Sequence, residues 1–170
     1  MQDDQRKRLQ QTIDAHFAAV GKVAAFWSEL ERQLQMAIWK LAGIDAFKGA
    51  CITSRIRSSA TLLEAIVDLL QLKGFAEHDL ELLNEFGKEL GELQSRRDRI
   101  VHDPWSFRIV DAFPHRKELN SQNKTAFGYV PHSTKEVEAF AESISDLVQR
   151  LETILNALVL HLDESQERSA

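Results

Sequence analysis

The segment LNEFGKELGELQSRRDRIVHDP, residues 83–104, carries both the periodicity that sets the fold and the most reactive side chains of the chain. Its apolar positions Leu83, Phe86, Leu90 and Leu93 step by three and four, and Ile100 and Val101 resume the pattern. With 3.6 residues per turn, such steps line one face of an α-helix. Pro104 has no N–H to give and turns Asp103 away from helical backbone, so the helix stops there. The spacing predicts a helix over about 77–103. Four residues beyond Leu93 the same seam reaches Arg97, a charge where an apolar residue is due. Five further on stands His102. An always-charged guanidinium beside an imidazole that titrates near neutral pH is sufficient to cleave a phosphodiester without a metal.

Helical periodicity extends outward in both directions. A first helix over about 5–42 is expected from Ile13, Phe17, Val20, Ala24, Trp27, Leu34, Ile38 and Leu41, with Gly43 as its C-cap and Gly21 a possible kink. Trp27 and Trp39 read as core or dimer-interface residues. A second helix, about 57–73, carries Leu62, Leu63, Ile66, Val67, Leu69 and Leu70 and ends at Gly74. The last opens at Ser133-Thr-Lys-Glu136, a capping box, and continues through Val137, Phe140, Ile144, Leu147, Leu151, Ile154 and Leu158. Four amphipathic helices with short early connections predict an all-α fold, an up-down four-helix bundle in a single domain spanning 1–170. The insert at 104–132 has strand-like bias at Ser106–Val110 and Thr125–Val130, so a short β-hairpin or irregular flap is expected there. Residues 163–170 read as a flexible tail.

Composition narrows the function. The chain has 170 residues, 44% of them hydrophobic and 28% charged, with a net charge of −5. That balance argues against a broadly basic nucleic-acid coat, so any RNA contact is expected from a local patch. The single Cys51 excludes a disulfide framework and a thiolate zinc cage. No apolar run reaches the length of a membrane span, and the polar opening from Met1 to Arg8 does not read as a signal peptide, so a cytoplasmic protein without membrane attachment is expected. The other histidines are scattered, with His16 and His161 expected at surface or boundary positions, and no metal site is predicted. There is no phosphate-cradling glycine loop and no nucleophile elbow. No cofactor is implied.

Two charges interrupt otherwise apolar seams. Glu31 follows Trp27 by four residues as Arg97 follows Leu93, and buried charges need partners. In an up-down bundle the first and third helices run parallel, so a Glu31–Arg97 ion pair is expected to steady the guanidinium. His102 lies about 140° around the helix from Arg97 and roughly 7.5 Å along it. The two side chains are therefore expected on different faces, with Asp98, one turn before His102, orienting the imidazole. A phosphate meeting both groups then favours two copies of the helix end across a two-fold axis.

Here the chain resembles the HEPN superfamily of helical RNA-processing and toxin domains. Its motif (an Arg, a polar residue, then a spacer ending in His near the end of the third helix) stands here as Arg97-Asp98-Arg99-Ile100-Val101-His102. The resemblance covers nearly the whole chain through helix order, motif position and the insert before the last helix. It implies a homodimer whose paired motifs form a metal-independent endoribonuclease site, acting as a toxin or antiphage effector and leaving a 2′,3′-cyclic phosphate. His102 is then the general base or acid, Arg97 stabilises phosphate charge, and Asp98 completes the motif. Arg96 and Arg99 add charge for the RNA backbone, and Trp105 is placed either to stack on a base or to pack the flap on the bundle. An antitoxin or other protein partner is compatible with the same family. Many HEPN domains bind nucleotides or act as interaction modules instead, so a non-catalytic role stays open.

Overall fold

In a computed structural model, which describes residues 2–108, 113–120 and 126–167, the chain is mostly helical with one small antiparallel sheet. The helices among the described residues are α1 (Gln2–Ala42), α2 (Ala46–Thr53), α3 (Ser59–Leu72), α4 (Glu81–His102) and α5 (Thr134–Glu167), with a 3-10 turn at Glu77–Leu80 before α4. The strands are β1 (Trp105–Phe107), β2 (Pro114–Asn120) and β3 (Ala126–Pro131), in spatial order β1-β2-β3. No helix among the described residues is long and apolar enough to cross a membrane.

Helix ends follow the local chemistry of the sequence. After α1, Gly43 takes φ 65°, and Ile44 N–H donates to Trp39 O at 3.0 Å, closing a Schellman turn. Gly74 repeats the device after α3 with φ 94° and Phe75 N–H donating to Leu70 O at 3.2 Å. Ser133 and Glu136 form the expected capping box: Ser133 N–H donates to Glu136 Oε2 at 2.7 Å, and Glu136 N–H to Ser133 Oγ at 3.2 Å. α1 runs unbroken through Gly21.

Three expectations need correction. The buried face of α1 runs His16, Ala19, Val23, Trp27, Leu30, Leu34, Ile38 and Leu41. In its first half this lies one position before the anticipated Phe17, Val20 and Ala24, and Phe17 is half exposed. The true seam holds a histidine, whereas a scan for apolar residues settles on the more hydrophobic neighbours. α2 is an additional helix, absent from the sequence reading because its buried residues are Gly49 and Thr53, too small to make an apolar stripe. The insert is a three-stranded sheet rather than a hairpin. Its middle strand, Pro-His-Arg-Lys-Glu-Leu-Asn, has none of the β-branched bias that marks a strand. The ends of the two anticipated strands, at 109, 110 and 125, lie outside the described residues.

The chain packs as two compact units. One, the sheet unit, comprises Met1–Phe26 and Ser95–Ser145; the other, the helical unit, comprises Trp27–Gln94 and Asp146–Ala170. In the sheet unit the buried set is Ala19, Val23, Ile100, Val137, Phe140, Ala141 and Ile144, joined by the polar His16, His115 and Arg116. The helical unit buries Trp27, Leu30 and Leu34 of α1, Leu62, Ile66 and Leu70 of α3, Leu83, Phe86 and Leu90 of α4, and Leu147 and Leu151 of α5. α2 seats there on Trp39, whose indole covers Gly49 and donates to Thr53 Oγ1 at 3.2 Å.

Candidate functional site

The last turns of α4 bring Arg97, Asp98 and His102 together within one chain. Arg97 Nη1 donates to Asp98 Oδ1 at 2.8 Å and lies 3.4 Å from His102 Nε2. This overturns the expectation that the arginine and histidine occupy separate faces. Side chains on a helix lean back toward its N-terminus, so His102 reaches toward the turn that carries Arg97, and the guanidinium's long arm covers the remaining arc. A guanidinium only donates, so a hydrogen bond from Arg97 to Nε2 would use the lone pair of that nitrogen. Asp98, expected beside His102, instead holds the arginine. The Arg97 side chain is 20% exposed and Asp98 48%, while His102 is open to solvent. A cation steadied by a carboxylate and presented beside an accessible imidazole can bind an anionic group and move a proton next to it.

Behind this helix end is a polar cluster that the sequence did not reveal. Trp105 Nε1 donates to Ile100 O at 3.0 Å, satisfying one of the carbonyls that the end of α4 leaves unpaired. Its ring packs 4.2 Å from that of His16 and 5.9 Å from that of His132, so the indole braces the sheet against α1. His16 is fully buried, contrary to its expected surface or boundary position, with Nδ1 3.2 Å from Thr134 Oγ1. Burial, reinforced by the neighbouring His132, lowers its pKa to about 4. His132 is also lowered, first by burial; Glu136 opposes the shift, and Arg116 and Arg96 add to it. Arg116 is buried on β2, its Nε 3.4 Å from Asp103 Oδ2, which ties the sheet to the residue after His102. His16 sits at a helical step before Ala19, Val23 and Trp27, the one signal that could have placed it inside. Nothing local marks Arg116, because its burial depends on a strand pairing made at long range.

The remaining expected site residues are distributed around this arrangement. Arg96 lays its guanidinium over the Phe140 ring, 4.5 Å from the centroid, and Arg99 is exposed. Glu31 belongs to the helical unit, where its Oε1 accepts from Trp27 Nε1 at 3.0 Å and from Ser59 Oγ at 3.1 Å. The charge is divided unevenly along the chain. The sheet unit has 12 lysines and arginines against 10 aspartates and glutamates, the helical unit 9 against 16, so the net acidity of the chain belongs to the helical unit and not to the unit that contains Arg97 and His102. The helical unit also has an open groove of about 290 Å³ lined in part by Met36, Leu41, Leu70 and Leu155, which contains none of the expected site residues. No family model matches the chain, and no curated protein or solved structure matches it.

Proposed function

We propose that this protein is a metal-independent endoribonuclease of the HEPN type, a homodimeric four-helix bundle acting as a toxin or antiphage effector. The observation that carries the proposal is the approach of the Arg97 guanidinium to His102 Nε2 at 3.4 Å, with Asp98 fixing the arginine from the other side. In this reaction His102 Nε2 takes the proton of a ribose 2′-OH as its oxygen attacks the adjacent phosphorus. The O2′–P bond forms, the P–O5′ bond breaks, and the departing O5′ gains a proton from a general acid, the His102 of a second copy. The products are a 2′,3′-cyclic phosphate and a 5′-OH end. Arg97 stabilises the charge that builds on the non-bridging oxygens, which is where a preorganised cation lowers a barrier most. The excess of basic residues in the sheet unit supports an anionic substrate.

Purified wild type, His102→Ala and Arg97→Ala, assayed on single-stranded RNA in EDTA, test the reading. Each substitution is expected to lower cleavage by about 10²-fold or more. Equal cleavage by all three, or none by the wild type, refutes it. The bond between Arg97 and Asp98 also favours a second reading, in which the arginine is structural and the domain binds a nucleotide or protein partner without cleaving. In that case nucleotide or partner binding survives His102→Ala and no cyclic-phosphate product forms.

A further inference from the structure

The sheet presents an aromatic and basic face whose role the cleavage chemistry leaves open. Side chains alternate along a strand, so Trp105, Arg116 and Val130, which are paired in register, share one face. Trp105 packs on His16 and Arg116 is buried, which makes this the inner face. The opposite face carries His115, itself buried beneath Phe113, and the partly exposed Lys117 of β2, with Lys117 paired across strands to Tyr129 of β3. Tyr129 is 53% exposed, and Phe113, whose ring meets that of His115 at 5.8 Å, is 37% exposed.

This face is anchored to the helix end that holds His102. Lys117 N–H donates to Pro104 O at 2.9 Å, and Pro104 follows His102 by two residues. With ~3.8 Å per residue and ~5 Å between paired strands, the Tyr129 backbone lies no more than about 18 Å from that of His102. A few nucleotides of extended single strand cover such a span.

We infer that the outer face of the sheet is a docking platform for single-stranded RNA, with Tyr129 stacking on a base and Lys117 contacting the backbone on the way to Arg97 and His102. The substrate class is thereby single-stranded rather than duplex RNA, since a paired base offers no free face to the ring. The inference rests on the RNA-cleaving reading for its ligand, but its test is separable. In a His102→Ala background, binding of a short fluorescein-labelled single-stranded RNA is followed by anisotropy, with the matching duplex alongside. Tyr129→Ala is expected to weaken single-strand binding about 5- to 100-fold, and Tyr129→Phe to leave it within about twofold, because the ring does the stacking. Lys117→Ala is expected to reduce the slope of log affinity against log salt by about 0.7. Preferential binding of the duplex, or single-strand binding indifferent to Tyr129→Ala, overturns the platform even if the wild type cleaves RNA. Binding that depends on Tyr129 in a protein whose wild type does not cleave upholds the platform while the catalytic reading falls.

Discussion

Asp98 determines where the Arg97 guanidinium points, since its carboxylate holds the same Nη1 that approaches His102. Asp98→Ala should therefore leave the fold intact and lower kcat/KM for RNA about tenfold, the order of one charge-assisted hydrogen bond used for positioning. An unchanged kcat/KM would remove Asp98 from the site. His16 yields a prediction of a different kind. Its folded pKa of about 4 lies below the 6.5 of an unfolded histidine, so the unfolded chain binds the proton more tightly. Stability is therefore complete above about pH 6.5 and is lost as pH falls toward 4, by up to ~3 kcal/mol. Urea titrations at about pH 7 and about pH 4.5 should show a smaller loss for His16→Leu than for wild type, and parallel losses would disprove the linkage. Arg97 was legible beforehand as a charge on an apolar seam, and the structure leaves it mostly buried. His16 was not, because its burial depends on Trp105 and Thr134, residues that arrive from far along the chain.

Two glycines separate local from tertiary demands at the level of the helix. Gly21 sits in the open on α1 with no atom within 4 Å of where a Cβ would stand, so Gly21→Ala should stabilise by about 0.5–1 kcal/mol. On Gly49 of α2 the same Cβ would fall inside the Trp39 indole, so Gly49→Ala should destabilise by about 1–3 kcal/mol as ring and helix move apart. Thermal melts of the two variants should shift in opposite directions, and a common sign would contradict the placement of α2 on Trp39. The same contrast explains which elements could be read in advance. The ends of α1 and α3 and the start of α5 depend on Gly43, Gly74 and the Ser133–Glu136 box, all local backbone chemistry. α2 depends on a close approach to one tryptophan, and β2 on bonds to β1 and β3, so neither has a periodicity of its own.

For the molecule as a whole, the meeting of Arg97 and His102 changes what a dimer has to supply. Placing the two side chains on separate faces made a second copy necessary to bring guanidinium and imidazole to one phosphate. Since Nη1 of Arg97 lies 3.4 Å from Nε2 of His102 in the same chain, the proposed ribonuclease would find base and cation on one protomer and would need a partner only as the source of the acid. Mixing subunits separates these arrangements. Differently tagged Arg97→Ala and His102→Ala chains, refolded together and purified as the mixed dimer, keep one Arg97 and one His102 on separate chains, whereas wild type mixed with the Arg97→Ala/His102→Ala double variant keeps both on one chain. Each mixed dimer has a single His102, so the loss of the acid is common to the two. If base and cation must come from one chain, the second mixed dimer should cleave more than the first, by up to about 10²-fold. Cleavage by the first equal to or above that of the second would show instead that the guanidinium of one copy serves the imidazole of the other. The within-chain contact would then be only a resting arrangement, broken when the substrate phosphate draws Arg97 away from His102.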